Sequence, residues 1–305
     1  MAGEYTAKIR DYSNIIKSND IVTEDGEVIE LHPKCLEDIA MDFINLEEQK
    51  KEKIINIMQM KQEQTEFQQA LLDHCGNFYF DFYKRFGNLE GQYVFRFLYL
   101  CTFMNYDNLV ITDNGKKLYK AKDLRDIFYN LKKNDFFNTK RYMLENDLIL
   151  FDEKKNIIIN SKYCKRGKIN KTKSIEVIRV FDNAIKELYE KSKPNEHKKL
   201  ALLIKILPYI SFKFNILCKN PSCEIITEVE RFKSMSELCE LVGYDKSNST
   251  RLKNDLFKLR VNEELVIGIF ETDYGKSILV NPLVYYKGTR LEDMQGLIDM
   301  FSKTK

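Results

Sequence analysis

Tryptophan is absent from the 305 residues, and histidine occurs only three times, at 32, 74 and 197. None of the three stands at a spacing that would make a catalytic triad or a metal centre. There is no Walker-type phosphate loop and no GxGxxG, so the usual nucleotide cradles are missing. No apolar run approaches the roughly 18–20 residues of a membrane-spanning helix. The opening stretch "MAGEYTAKIRDYS" carries no apolar segment of the secretory kind, and a cytoplasmic protein is expected. The seven cysteines are odd in number and scattered. Most sit in apolar settings such as "LYLCTF" and "SELCELV", which predicts buried, reduced thiols rather than a disulfide framework. Cys218 and Cys223 lack two further ligands nearby, so no zinc site is expected. Carboxylates are plentiful but fall at the spacing of solvated helix faces. The expectation is therefore a non-enzyme without cofactor or metal.

What is present is an uneven distribution of charge. The net value is +3. Residues 1–75 hold 8 basic and 16 acidic side chains, residues 120–173 hold 15 and 7, and residues 197–290 hold 15 and 11. An acidic end followed by two basic regions suggests a polyanion partner. With 44% hydrophobic residues the chain can also build a packed core.

The sequence repeats itself weakly. "KDLRDIF" (122–128) lies over "SELCELV" (236–242), and "IIINSKYCKRG" (157–167) lies over "ILVNPLVYYKG" (278–288). The offset drifts from 114 to 121 residues between these blocks. Each copy opens with an apolar helix, "GQYVFRFLYLCTFMNY" (91–106) or "EHKKLALLIKILPYI" (196–210). Each continues through a short strand, a helix, a turn and a second helix. Each closes with a β-hairpin, "LILFDEKKNIIIN" or "LVIGIFETDYGKSILVN", the latter turning at Tyr274-Gly275. Helix–turn–helix plus hairpin predicts a winged helix. The expected fold class is mainly α with small β-hairpins (α+β), built on two tandem winged helix-turn-helix domains with a long N-terminal helix and a connecting helix.

The expected divisions follow. Residues 1–32 are an N-terminal extension with a hairpin tip at Asp25-Gly26. Residues 33–76 are a long acidic amphipathic helix, since 34–75 lacks internal proline and glycine. It either docks on the first winged helix or dimerises. The winged-helix domains cover 77–170 and 196–290, joined by a connecting helix in 171–195 that stops before Pro194. Residues 291–305 form a C-terminal helix with Leu291, Met294, Leu297, Ile298 and Phe301 on one face.

Within the second copy, "GYDKSNSTRLKNDLFKL" (243–259) starts a helix with six polar or basic residues before its leucines begin. The second helix of such a motif lies in the major groove with its N-terminal part at the base edges. Arg can fork onto guanine, Asn onto adenine, and Ser or Thr onto phosphates or either base type. The candidate DNA-binding residues are Lys246, Ser247, Asn248, Ser249, Thr250, Arg251 and Lys253, with Lys276 on the hairpin. Leu252, Leu256 and Leu259 face the core. The first copy offers Lys132, Lys133, Asn138, Thr139, Lys140 and Arg141, with Lys154 and Lys155 at its hairpin tip. Phe136 and Phe137 interrupt this set. Turned inward they leave a DNA-facing helix, and turned outward they make a protein interface. The basic stretch "KYCKRGKINKTK" (162–173) could follow a phosphate backbone between the domains.

The ending "YGKSILVNPLVYYKG", with Asn281-Pro282 and then an aromatic-rich basic-Gly segment, resembles the winged helices of Firmicute plasmid and phage replication proteins. Two linked winged helices also resemble plasmid replication initiators more broadly. The first copy departs from the pattern, with Asn160-Ser161 where the second has Asn-Pro. The resemblance implies one domain for dimerisation or partial DNA contact and one that reads direct repeats at an origin. It also implies that such a protein can repress its own promoter. A sequence-specific double-stranded DNA-binding protein of a mobile element is expected, first a replication initiator and alternatively a phage repressor. A protein-interaction adaptor acting on host machinery is the rival of another class. The expected partners are double-stranded DNA, a second copy of the chain (through the 34–75 helix or the first winged-helix domain) and a host replication or transcription protein, with no membrane.

Overall fold

The computed structural model describes residues 33–82, 86, 89–112, 115–167, 177–232, 234–288 and 291–305, together with 21, 22, 25, 28 and 29. They form a mixed helical and sheet protein of the α+β class. The chain divides into two compact units, residues 1–68 and 69–305. In the first, β1 (Ile21–Val22) pairs antiparallel with β2 (Val28–Ile29), as the Asp25-Gly26 turn predicts. The helix α1 (Pro33–Cys75) starts in this unit and ends in the second. Its middle turns expose Ile54, Ile55, Ile57, Met58 and Met60.

The second unit runs through β3 (Phe78–Asp81), α2 (Gly91–Cys101), α3 (Leu124–Ile127), α4 (Lys133–Glu145), β4 (Ile149–Phe151), β5 (Ile157–Ile159) and β6 (Cys164–Lys165). It continues with β7 (Ile178–Phe181), α5 (Asp182–Lys191), α6 (His197–Ile206), α7 (Met235–Leu241) and α8 (Ser249–Phe257). It ends with β8 (Arg260–Val261), β9 (Glu264–Leu265), β10 (Ile267–Thr272), β11 (Gly275–Val280), β12 (Tyr285–Tyr286) and α9 (Leu291–Ser302).

One expectation is corrected here. The stretch read as a single connecting helix opens instead with strand β7, and only Asp182–Lys191 is helical. The alternation in "VIRVF" explains it. Ile178 and Val180 are buried, Arg179 between them is half-buried, and neighbours bond the strand on both sides. Tertiary pairing overrides the amphipathic helical reading. Residues 171–176 lie outside the described residues.

The strand takes part in a four-stranded antiparallel sheet of order β12-β7-β3-β6. The two central strands each open one repeat, and the two outer strands each close one. The repeats are therefore knitted through a common sheet. Helices α2 and α6 also pack on each other, so closely that a Cβ on Gly91 would collide with the Cβ of Ala201.

The duplication is visible bond by bond. Asn108 has a left-handed backbone (φ 62°), and its side-chain amide donates to the carbonyls of Ile159 (3.1 Å) and Cys164 (3.0 Å). Asn215 (φ 55°) donates in the same way to Val280 (2.8 Å) and Tyr285 (2.8 Å). Both acceptor pairs stand at the offset of 121 residues found in the sequence. Asn160 and Asn281 also match. Each accepts from the backbone N–H two residues on, and each donates to a carbonyl before the hairpin, Asp147 or Leu265. The asparagine does this job whether proline or serine follows it.

A third network ties the repeats together. The buried Arg96 guanidinium on α2 donates to Nδ1 of His197 (3.1 Å), to Thr139 Oγ1 (2.8 Å) and to the Pro194 carbonyl (3.3 Å). Burial, and then the Arg96 charge, push the His197 pKa down to about 3. The folded protein thus holds this imidazole neutral, whereas the unfolded chain protonates it below about pH 6.5. The unfolded state then binds more protons, so this contribution is present above about 6.5 and is lost as the pH falls toward 3. Relative to His197→Gln, the wild type should lose about 2 kcal/mol between pH 7.5 and pH 5 in urea unfolding. A difference that does not change with pH would refute the neutral imidazole.

The C-terminal helix α9 packs on the second hairpin. Met294, Leu297 and Phe301 are buried, and the Phe301 ring meets Phe270 edge-on at 4.9 Å.

Candidate nucleic-acid interface

The stretch from Gly243 to Leu259 folds in two steps. Gly243 takes φ 68° and turns the chain after α7. Asp245 then accepts from the Ser247 N–H at 2.8 Å, capping a single 3-10 turn over Lys246–Asn248. That hydrogen bonding holds the Asp245 carboxyl below its usual range. Helix α8 follows directly. Leu252 and Leu256 are fully buried against the core and Leu259 is partly buried. This fixes the helix rotation, because residues three and four apart share a face.

The opposite face is polar. Lys246, Ser247, Thr250, Arg251 and Lys253 are exposed, and Asn248 and Ser249 are half-buried. Two of the cations have carboxylate neighbours: Lys246 pairs with Glu240 at 3.0 Å and Arg251 approaches Asp255 at 3.8 Å. The hairpin β10–β11 carries Lys276, which meets Glu271 at 3.7 Å, and an exposed Tyr274 at its tip. Pairs as open as Lys246–Glu240 and Lys276–Glu271 are weak and readily exchanged for a phosphate.

The first repeat resolves differently. Lys132, Lys133, Asn138 and Arg141 are exposed, as are Lys154 and Lys155 at the β4–β5 turn. Lys140 is half-buried, with its ammonium 5.9 Å from the Phe151 ring centroid. Thr139 is a correction. It is fully buried, donates to the Asp135 carbonyl at 2.7 Å and accepts from Arg96, so it cannot reach a ligand. The two phenylalanines split: Phe136 is buried beneath Arg125, whereas Phe137 is 53% exposed.

The fully buried positions place α4 over α8, with Thr139 matching Leu252 and Met143 matching Leu256, and the residues that open the two helical segments, Lys132 and Asp245, match at the same offset. In that register Asn138 stands where the second repeat has Arg251 and Lys140 where it has Lys253, while Phe136 and Phe137 replace Ser249 and Thr250. The polar residues that open the second helix have no full counterpart in the first. In the basic stretch after β5, Arg166 is also withdrawn from the surface. It is buried and bonded to Asp182 at 2.7 Å. Lys168, Lys171 and Lys173 lie outside the described residues.

Sequence reasoning missed the acid that governs the helix face. Asp255 lies four residues after Arg251 and also takes the Lys199 ammonium of α6 at 3.0 Å. The i, i+4 spacing of Arg251 and Asp255 is a readable signal, but the contact with Lys199 depends on the packing of α6. Asn254 and Lys258, which fall at i+3 and i+7 from Arg251, are exposed beside it.

Among the described residues no three His, Cys, Asp or Glu side chains are grouped to hold a metal ion, and no helix is long and apolar enough to cross a membrane. Compared with protein-family models, curated proteins and solved structures, the chain matches none.

Proposed function

We propose that the chain is a tandem winged-helix protein that reads duplex DNA in sequence-specific fashion, and that it acts as the replication initiator of a mobile element in the cytoplasm. One observation carries this reading. The helix anchored by Leu252 and Leu256 and the 3-10 turn just before it turn Lys246, Ser247, Thr250, Arg251 and Lys253 to solvent together, and a hairpin with Tyr274 and Lys276 near its tip follows. A helix of this composition fits the major groove, and the hairpin fits the flanking backbone. The second repeat is the reader. The first, with Phe136 and the exposed Phe137 in place of Ser249 and Thr250, contributes backbone contacts from Lys132, Lys133, Lys154 and Lys155.

The test is binding to fragments of the element's own genome against random duplex at two salt concentrations. Tight, salt-sensitive binding to one fragment is expected. Arg251→Ala should cost about 1–3 kcal/mol on that fragment and relax the preference at one base position. If the variant selects the same site with unchanged affinity, α8 is not the reading helix. Iterated direct repeats in the bound fragment support initiation, and a single palindrome over a promoter supports a repressor instead. The adaptor reading draws on the exposed Phe137 and the apolar middle of α1, and it requires weak binding to every fragment alike.

A further inference from the structure

The reading face of α8 runs directly into a cleft of about 370 Å³ formed with the end of α5 and the start of α6. Lys191, Lys199, Lys258 and Arg260 line it with Asn254 and Asp255. Lys191, Lys258, Arg260 and Asn254 are exposed there. Lys258 lies seven residues after Arg251, so both fall on one stripe of a helix only about 14 Å long. A phosphate in this cleft would thus lie within one groove width of a base contacted by Arg251.

Asp255 connects the two places. Its side chain is only 12% exposed, and it draws both Arg251 (3.8 Å) and Lys199 (3.0 Å) toward itself. Its single charge therefore offsets part of one cation of the reading face and part of one of the cleft while no ligand is bound. Other acids nearby act on the same cations: Glu187 bonds Lys191, and Glu196 also lines the cleft. Even so, the lining cations outnumber the lining carboxylates by four to two.

Resting on the proposed DNA-reading function, we infer that this cleft is a phosphate site for the backbone of the bound duplex, and that Asp255 is the counter-ion the duplex must displace. Lys191, Lys199, Lys258 and Arg260 supply the charge, and Asn254 supplies an amide donor. Binding then trades the Asp255 contacts for phosphate contacts. Asp255 thereby restrains non-specific binding and leaves specific binding dependent on base contacts.

The experiment is fluorescence anisotropy of the full chain on its selected fragment and on random duplex, between about 50 and 200 mM salt. The variant Lys191→Gln/Lys258→Gln alters two exposed side chains, so its fold is retained. It should lower the log–log salt slope by about 0.9 for each phosphate that is no longer neutralised. The affinity gap to wild type should then narrow by roughly 3.5-fold for one such phosphate, or about 12-fold for two, across that salt range, equally on both duplexes. Asp255→Asn should do the reverse, steepening the slope and tightening random duplex most. A wild-type slope in the lysine variant, with DNA still bound, overturns the cleft assignment and leaves the reading function standing. Thermal stabilisation of the wild type by inorganic pyrophosphate, absent in the lysine variant while the DNA slope stays unchanged, would instead make this a free-phosphate site and overturn the inference. If the wild type binds no duplex at all, the reading function falls first and the cleft assignment with it.

Discussion

Asn215→Ala should destabilise the protein by about 4 kcal/mol, with the loss centred on the second hairpin. The side chain donates to two carbonyls, Val280 and Tyr285, each on a residue without solvent exposure. Removing the donor leaves both carbonyls unsatisfied, at about 1–3 kcal/mol each. Alanine at φ 55° adds roughly 1 kcal/mol, because the left-handed region crowds its Cβ against the carbonyl. Glycine tolerates that backbone, so Asn215→Gly should recover only the smaller part and isolate the cost of the missing amide. The consequence extends to the proposed DNA contact, since Asn215 clamps the end of β11 to the segment before α7 and so positions the hairpin carrying Lys276. Urea unfolding with circular dichroism measures it. A change below about 1 kcal/mol in Asn215→Ala would show that the clamp is dispensable. Asn108→Ala should behave alike in the first repeat, because its acceptors occupy the equivalent places.

Much of this was readable in the chain because the repeat brings local signals into register. The matched "IIIN" and "ILVN" blocks, the turn read at Tyr274-Gly275 (it forms one residue earlier, at Asp273-Tyr274) and the leucine spacing of 252, 256 and 259 are short-range patterns, and each corresponds to an observed element or face. What escaped depends on distant partners. Ile178–Phe181 reads as helix until β3 and β12 appear on either side of it. Thr139 reads as a polar helix residue until Arg96, 43 positions earlier, is folded against it. Arg166 reads as one more linker cation until Asp182 reaches it. The paired asparagines at 108 and 215 could have been found, since "DNLV" and "FNIL" align across the repeats. Their left-handed backbone, however, leaves no mark in periodicity.

Arg166→Met should be the second severe substitution, and its severity should depend on pH. Arg166 and Asp182 meet at 2.7 Å with side chains only 9% and 10% exposed. Burial raises the Asp182 pKa to about 6, and it outweighs the opposing pull of Arg166. The folded carboxyl therefore binds its proton more tightly than the unfolded one. Its contribution to stability is fully present below about pH 3.8 and is lost as the pH rises through about 6. Without Arg166 the folded pKa moves higher still, and at pH 8 the protein must either bury an unpaired carboxylate or protonate it. Breaking a buried pair from one side costs about 3–5 kcal/mol, and that is the loss expected at pH 8. At pH 5 the carboxyl is already protonated in the folded variant, so most of the penalty should disappear. Adding Asp182→Asn should restore stability at pH 8, because the amide carries no charge to strand. If Arg166→Met is equally destabilised at both pH values, the loss comes from packing or from the second bond of Arg166, to the Phe78 carbonyl, and not from the orphaned carboxylate. The position repays the experiment because the neighbouring bond runs to β3, so the pair holds the first residue of α5 against the sheet that both repeats share.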